Sequence, residues 1–548
     1  MVDSTNEYLN EKLHFEVTFN IPKISDEYEK WAAILVGREN WLNNLESKNL
    51  NSSLILHYTY IESVLQSYRL FCELVRLPIF DTPKVISLSE DTLHVDKYIL
   101  KIESSLVNMV PHSVYITLIK ISLKICGWMA QHSPNSENRS KVFKTITEKV
   151  IKPLQRIIPA GKSTIPVLRV AHDLRVPFTH LGMGVYQLGW GSKARRLDRS
   201  TCELDSAIGS KLAQNKISTG NILRAAGLPS PVHGFVSTEA DALSIALKIG
   251  FPVVIKPTDR DRGEGVTVGI TGEAQLKAAF AHAQKLSKSN QVIVEREVTG
   301  ICHRLFIANN KLLYAVKRHP ISVVGDGKRT VIQLVDDEVS NESCKPPWSR
   351  SEIKPIDELA LQTIQKHGLA PESVPGKDIM VPLRPIESTE WGGVDEEVTQ
   401  VVHSENLRVA LQAAKLFGLH VAGIDIISSD ITKPWHTNGA IINEVNFAPL
   451  FGVAEISRSY IPKFFAEFIE GDGKIPIEVF DSKEAAEVFQ KGQAAQGKSC
   501  YITTNDLTLD ELGKEIVMPF KEIKQRVRAL ILSSDINVIA IIKPNKNS

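Results

Sequence analysis

A chain of 548 residues, 43% apolar and 23% charged, is too long for one ordinary core and too evenly mixed for a disordered or fibrous protein. Its formal net charge of +1 lacks the basic surplus that a nucleic-acid or anionic-membrane partner would favour, so neither partner is expected. Cys72, Cys126, Cys202, Cys302, Cys344 and Cys500 are scattered without a CxxC pair, which predicts reduced thiols and no zinc or disulfide framework.

The N-terminus, MVDSTNEYLNEKLHFEV, is acidic and polar and does not read as a secretory signal, so a cytoplasmic location is expected. SLILHYTYIESVLQSYRLFCELVRL has apolar residues at three- and four-residue spacing and predicts a long helix. The apolar stretch 114–130 is broken by Lys120 and Lys124; it is short for a membrane span and predicts a buried helix or strand pair. No repeat of fixed period and no low-complexity segment interrupts the chain. From about 160, helices alternate with short β-like runs. STIPVLRVAHDLRVPFTHLG predicts a helix feeding a strand, and QNKISTGNILRAAGLPSPVHGFV a helix stopped at Gly227 before Pro229 and Pro231. DALSIALKIGFPVVIKP repeats the pattern through Gly250. QVIVEREV is a strand, and CHRLFIANNKLLYAVKR a hairpin turning at Asn309–Asn310. VAGIDIIS and GAIINEVN add two strands, so the class is α+β with much antiparallel sheet. After about 470, GDGKIPIEVFDSKEAAEVFQKG and INVIAIIKP predict a small α/β end piece.

Four features then fall in order. Lys216 lies in LAQNKISTGNIL. Lys256 ends a strand and precedes the loop PTDRDRGEGV. Glu295 ends another strand. Asp425, Glu444 and Asn446 form an acidic set. Lysine ammonium groups suit a triphosphate, and a loop with Gly263 and Gly265 can bring backbone N–H groups to phosphate oxygens. Magnesium prefers oxygen ligands, and the strand period places Glu444 and Asn446 on one face. GxxxxGK[ST] is absent, which argues against a P-loop. Each feature alone is also what a solvated lysine, a turn or a structural carboxylate would give; their order carries the weight.

These residues, with QLGWGSKARRLDRST, HPISVVGDGKRTVIQLV, GLAPESVPGKDIMVPLR and VHSENLRVALQAAKLFGLHVAGIDII between and around them, resemble the ATP-grasp ligases, most closely the ATP-grasp half of the cyanophycin synthetases. The resemblance implies an ATP-grasp fold, two α+β lobes gripping ATP, at 186–470. It also implies an N-terminal mixed α/β domain at 1–185 and a small Mur-ligase-like piece at 471–548. The activity it implies is joining a carboxylate to an amine through an acyl phosphate, on amino-acid or peptide substrates, with ATP and two magnesium ions. A homo-oligomer is expected by the same resemblance. Residue by residue, Lys216 and Lys256 match phosphate lysines. Glu295 with the backbone of Arg296 and Val298 matches the adenine strip. Asp425, Glu444 and Asn446 match metal ligands. Arg304 and Arg318 match basic positions facing phosphate or substrate carboxylate, and Arg384 the arginine for the acyl-transfer oxyanion.

Three departures stand out. Cys302 occupies the place of an acidic ribose contact, which would leave that role to a group such as Glu297. The substrate loop reads IESTEWGGVDEE, so Ser388, Thr389, Gly392 and Gly393 match while Glu390 and Trp391 are interposed. The tail lacks the Gly-Lys-Thr signature of a second ATP site. A thiol or hydroxyl acceptor, or a nucleotide-binding scaffold without catalysis, remain the alternative readings.

Overall fold

The computed structural model describes residues 12–41, 52–92, 94, 97–158, 160–260, 264–387 and 392–543. The chain divides into two compact units: residues 200–450 with 454–460, and residues 1–199 with 451–453 and 461–548.

The first of these carries two antiparallel sheets. The smaller contains β1 (His233–Val236), β2 (Val253–Pro257), β3 (Thr267–Ile270) and β4 (Val292–Arg296), in the order β3-β2-β4-β1. One face is apolar: Val236, Val253, Ile255, Val292 and Val294 pack on Ala242, Ala246, Leu276, Ala279 and Phe280 of helices Glu239–Ile249 and Glu273–Leu286. Alternation along β2 and β4 therefore sends Lys256 and Glu295 to the other face. The helix Lys216–Ala225 precedes β1, and the chain turns after it with Gly227 at φ +72°. Gly250, at φ +89°, makes the turn into β2.

The larger sheet contains β5 (Ile301–Ala308), β6 (Lys311–Pro320), β9 (Gly393–Glu397), β10 (Val421–Ser428) and β11 (Ile441–Phe447), in the order β9-β6-β5-β10-β11. Asn309 and Asn310 link β5 to β6 with φ of 50° and 58°, the left-handed pair that a two-residue hairpin loop requires. Leu305, Ile307, Ala315, Ile424, Ile426 and Val445 bury one face against Val409, Ala410, Ala413 and Ala414 of helix Ser404–Leu416. Between β6 and β9 a small lobe is inserted. It pairs β7 (Ser322–Val324) with β8 (Met380–Pro382), and its core joins Val331, Leu334 and Val335 to Ala360 and Ile364. Its helix Val331–Cys344 starts at a capping box of Thr330 and Gln333, which satisfies two otherwise orphaned backbone donors.

In the second unit, strands Lys12–Phe19, Tyr98–Ser105 and Lys84–Glu90 form an antiparallel sheet in that order. Helix His112–Met129 contains the apolar stretch read from the sequence. Val114, Leu118, Ile119 and Ile125 are buried while Lys120 and Lys124 are exposed, as an amphipathic helix demands. No helix among the described residues is long and apolar enough to cross a membrane. Towards the C-terminus, strands Ile477–Phe480 and Cys500–Thr503 flank Val538–Ile542 in parallel, with helix Lys483–Ala494 crossing between them.

Candidate active site

On the small sheet, β2 and β4 run antiparallel, and Lys256 Nζ lies 2.7 Å from Glu295 Oε1. Lys256 is 9% exposed and Glu295 7%, so each charge satisfies the other where water cannot. Lys216 Nζ donates to the carbonyl of Arg260 in the loop after β2, which brings the second lysine to the same loop. Gly265 stands at φ +75°, and a Cβ there would come within 2.8 Å of Pro257 Cγ. That close approach explains the glycine better than the sequence could. Gly263 lies outside the described residues.

Past Glu295, the Arg296 N–H donates to Val232 O at 3.0 Å and the chain leaves the sheet. Val298 is half-buried. Glu297 accepts from Gly269 N at 2.6 Å, so its carboxylate already ties β4 to β3.

The large sheet aligns its polar residues in rows across the strands. One row runs Glu397, Val316, Arg304, Asp425, Glu444 through direct register partners on all five strands. Arg304 Nε and Nη2 each donate to one oxygen of Asp425 at 2.7 Å, a bidentate fork; Asn446 Nδ2 donates to Asp425 Oδ2 at 3.2 Å. Burial opposes the charge on Arg304 and the facing Asp425 more than offsets it, so its pKa stands above the ordinary value. Glu444 is half-buried and has no hydrogen-bond or ion-pair partner among the described residues. A β-bulge between the Asp425 and Ile426 positions shifts the register so that Ile442 pairs with Ile426. Strict alternation would put Ile442 beside Glu444. The bulge returns Ile442 to the core and leaves Glu444 and Asn446 facing the site.

A neighbouring row opens with Asp395 opposite Arg318. Arg318 is ion-paired to Glu387, at the near end of the substrate loop. Burial raises the Glu387 and Asp395 carboxyls above their ordinary values, against the pull of Arg318 and Arg304. Burial, with Asp425 beside it, likewise keeps the Cys302 thiol neutral. Beyond the Arg304 row, Phe306, Tyr314 and Tyr460 stack with centroids 5.0 and 5.2 Å apart and form an apolar wall.

Gly393 explains itself through Glu387. A Cβ at Gly393 would lie 2.3 Å from Glu387 Cγ and 2.7 Å from the His319 carbonyl oxygen. Gly393→Ala is therefore expected to destabilise the protein by about 2 kcal/mol through overpacking, read by urea denaturation. An unchanged midpoint would show that Glu387 moves aside freely. Gly392 sits at φ +78°. Ser388, Thr389, Glu390 and Trp391 lie outside the described residues.

Asp395 supplies a pH-dependent expectation. A carboxyl whose pKa is raised by folding favours the folded state at low pH, and that contribution is lost as pH rises from the ordinary carboxyl value through the raised one. Asp395→Asn should accordingly raise Tm by about 2 °C at neutral pH and change little near about pH 3. Melting curves at the two pH values check this; an equal gain at both would remove the charge as its cause.

Arg384 is placed apart from the two rows. Arg384 is 6% exposed, and its guanidinium is held by Asp357 at 2.8 and 3.1 Å and by the Leu383 carbonyl at 2.7 Å. Asp357 also caps helix Glu358–Lys366 by accepting from Ala360 N. Sequence reading missed Asp357, Glu387 and Asp395. The latter two bracket the substrate loop, and the acidic run VDEE beside it was the only signal.

Among the described residues, no three His, Cys, Asp or Glu side chains are grouped to hold a metal ion. The oxygen set here is two carboxylates and a carboxamide. Asp425 and Glu444 are register partners, and Asn446 is already hydrogen-bonded to Asp425. That donor chemistry fits a hard divalent cation, provided Asn446 turns its oxygen inward.

Residues 215–342, which carry Lys216, Lys256, Glu295, Arg304 and Arg318, match the family model described as Carbamoyl-phosphate synthase L chain, ATP binding domain. Cyanophycin synthetase of Trichormus variabilis is 31% identical over 339 residues, covering 60% of this chain and 37% of that protein. The cyanophycin synthetase of Synechocystis sp. is 33% identical over 309 residues, 55% of this chain and 35% of the relative. A glutathione biosynthesis bifunctional protein of Mannheimia succiniciproducens is 32% identical over 257 residues, covering 45% of this chain and 33% of that protein. The chain thus spans little more than a third of the length of these relatives. With the family match spanning the helix that opens at Lys216 and the strands that bear Lys256, Arg304 and Arg318, the chain contains an ATP-grasp domain, similar in sequence to part of the cyanophycin synthetases.

Proposed function

We propose that the chain is an ATP-dependent carboxylate–amine ligase that forms an amide or peptide bond on amino-acid or peptide substrates through an acyl phosphate. The observation that carries this reading is the pair of rows on the large sheet, where Arg304 and Arg318 stand among Asp425, Glu444, Glu387 and Asp395. Guanidinium groups placed where phosphoryl and carboxylate charge accumulates are what such a reaction demands, since its catalysis is largely electrostatic.

In this reading Lys216 and Lys256 bind the phosphates. The peptide groups of Arg296 and Val298 meet the base. Asp425, Glu444 and Asn446 would hold magnesium, which when bound neutralises phosphate charge. Those carboxylates, with Glu387 and Asp395, outnumber the two sheet arginines, and the surplus negative charge favours a divalent cation. Arg318 orients the substrate carboxylate from the stem of the loop. Arg384 would face the oxyanion of acyl transfer once its pairing with Asp357 loosens. Phe306, Tyr314 and Tyr460 exclude water from one side. Self-association into a homo-oligomer belongs to the same proposal by similarity alone, and light scattering tests it.

ADP release measured across a panel of amino acids and short peptides tests the function. ADP formed only when both an acid and an amine are supplied supports the ligase, and hydroxylamine trapping of a hydroxamate supports the acyl phosphate. ATP binding without turnover across the panel would instead favour a scaffold. Turnover supported by thiols or alcohols alone would move the acceptor class.

A further inference from the structure

Asp425 is fully engaged as it stands. Both of its oxygens accept from the Arg304 fork at 2.7 Å, and Oδ2 takes a further hydrogen bond from Asn446 at 3.2 Å. It is 3% exposed on a strand with neighbours on both sides, so it cannot turn outward to meet a cation in water. Asn446 presents its nitrogen to this carboxylate, which is the donor end of the amide. Glu444, the register partner of Asp425, makes no hydrogen bond or ion pair among the described residues, though its charge also acts on Arg304.

A divalent cation arriving at this set before any nucleotide would meet a guanidinium already seated on one of its two carboxylates. Like charges at such spacing, in a half-buried site, oppose each other strongly. A triphosphate changes that balance. It offers the planar fork several anionic oxygens in place of one carboxylate, and phosphate is a preferred partner of arginine.

We propose that Arg304 is a positioning residue for the metal carboxylate: it occupies Asp425 in the nucleotide-free chain and is drawn off by the nucleotide phosphates, so that the divalent metal enters with the nucleotide and not before it. This rests on the reading above that Asp425, Glu444 and Asn446 hold the metal. Arg304 and the metal then take turns at the same carboxylate, and Asn446 is released to rotate its oxygen inward when the fork leaves.

Mn²⁺ binding to the full chain, followed by electron paramagnetic resonance with and without ADP, tests the inference without needing the other substrates. Arg304→Met should bind Mn²⁺ without nucleotide at least about tenfold more tightly than the unmodified protein, and the tightening that ADP confers should shrink correspondingly. Glu444→Gln should weaken Mn²⁺ binding in both backgrounds. Equal or weaker nucleotide-free Mn²⁺ affinity in Arg304→Met, with Glu444→Gln still weakening it, overturns the role of Arg304 and leaves the metal reading standing. No effect of Glu444→Gln in either background overturns the metal reading beneath it. Should Arg304→Met fail to fold, Arg304→Lys keeps the charge but loses the fork. It should still tighten nucleotide-free Mn²⁺ binding about threefold, and an unchanged affinity there counts against the proposal equally.

Discussion

Glu444→Ala is expected to reduce ATP turnover by at least about a thousandfold while leaving Tm within about 1 °C of the unmodified protein. Glu444 makes no hydrogen bond or ion pair among the described residues, so its removal strands no buried partner. Its neighbours in the row, Asp425 and Arg304, hold each other. The loss would therefore fall on the site and spare the fold. ADP release and thermal melting, measured side by side, separate the two. Retained turnover would sink the assignment of Glu444 as a metal ligand, whereas a large fall in Tm would make it a structural carboxylate.

Lys256→Met combines two effects of different origin. Lys256 and Glu295 are nearly inaccessible and 2.7 Å apart, so deleting the cation leaves Glu295 buried and unpaired. Breaking such a pair costs about 3–5 kcal/mol. In the proposed site the same change removes a phosphate ligand and should weaken nucleotide binding about a hundredfold, near 2.7 kcal/mol. The double variant Lys256→Met with Glu295→Leu tells the two apart. It should regain most of the lost stability, because apolar pairs of similar volume replace buried ion pairs at little cost. It should not regain nucleotide affinity. Urea denaturation and calorimetric titration with ATP read the two quantities. Affinity restored together with stability would mean that Lys256 serves the sheet and not the phosphates.

The elements legible in the sequence were those whose signals are local. The Asn309–Asn310 hairpin and the turn at Gly250 into β2 each follow from a dihedral preference within one short segment, whereas the stretch 114–130 read equally as a buried helix or a strand pair until the structure made it the helix His112–Met129. That Lys256 and Glu295 share the polar face of the small sheet follows from the pairing of β2 with β4 and the burial of Ile255 and Val294 on the other face, which the sequence did not show. Resemblance supplied the order of the site residues and the ATP-grasp domain that holds them.

Pairing was not legible. Nothing local in VPLRPI or SEIKPIDELA shows that Arg384 is held by Asp357, and nothing in IESTEWGGVDEE shows that Glu387 lies on Arg318 over the bare backbone of Gly393. Strand period alone would have grouped Ile442 with Glu444; the bulge beside Asp425 moves one into the core and leaves the other at the site. The sequence by itself therefore determined which residues of this protein alternate, turn and carry charge, because those properties depend on a few neighbouring bonds. Only the tertiary structure decided which carboxylate neutralises which cation. Arg304 and Asp425 stand 121 positions apart, and the register of β5 against β10 is what sets them face to face.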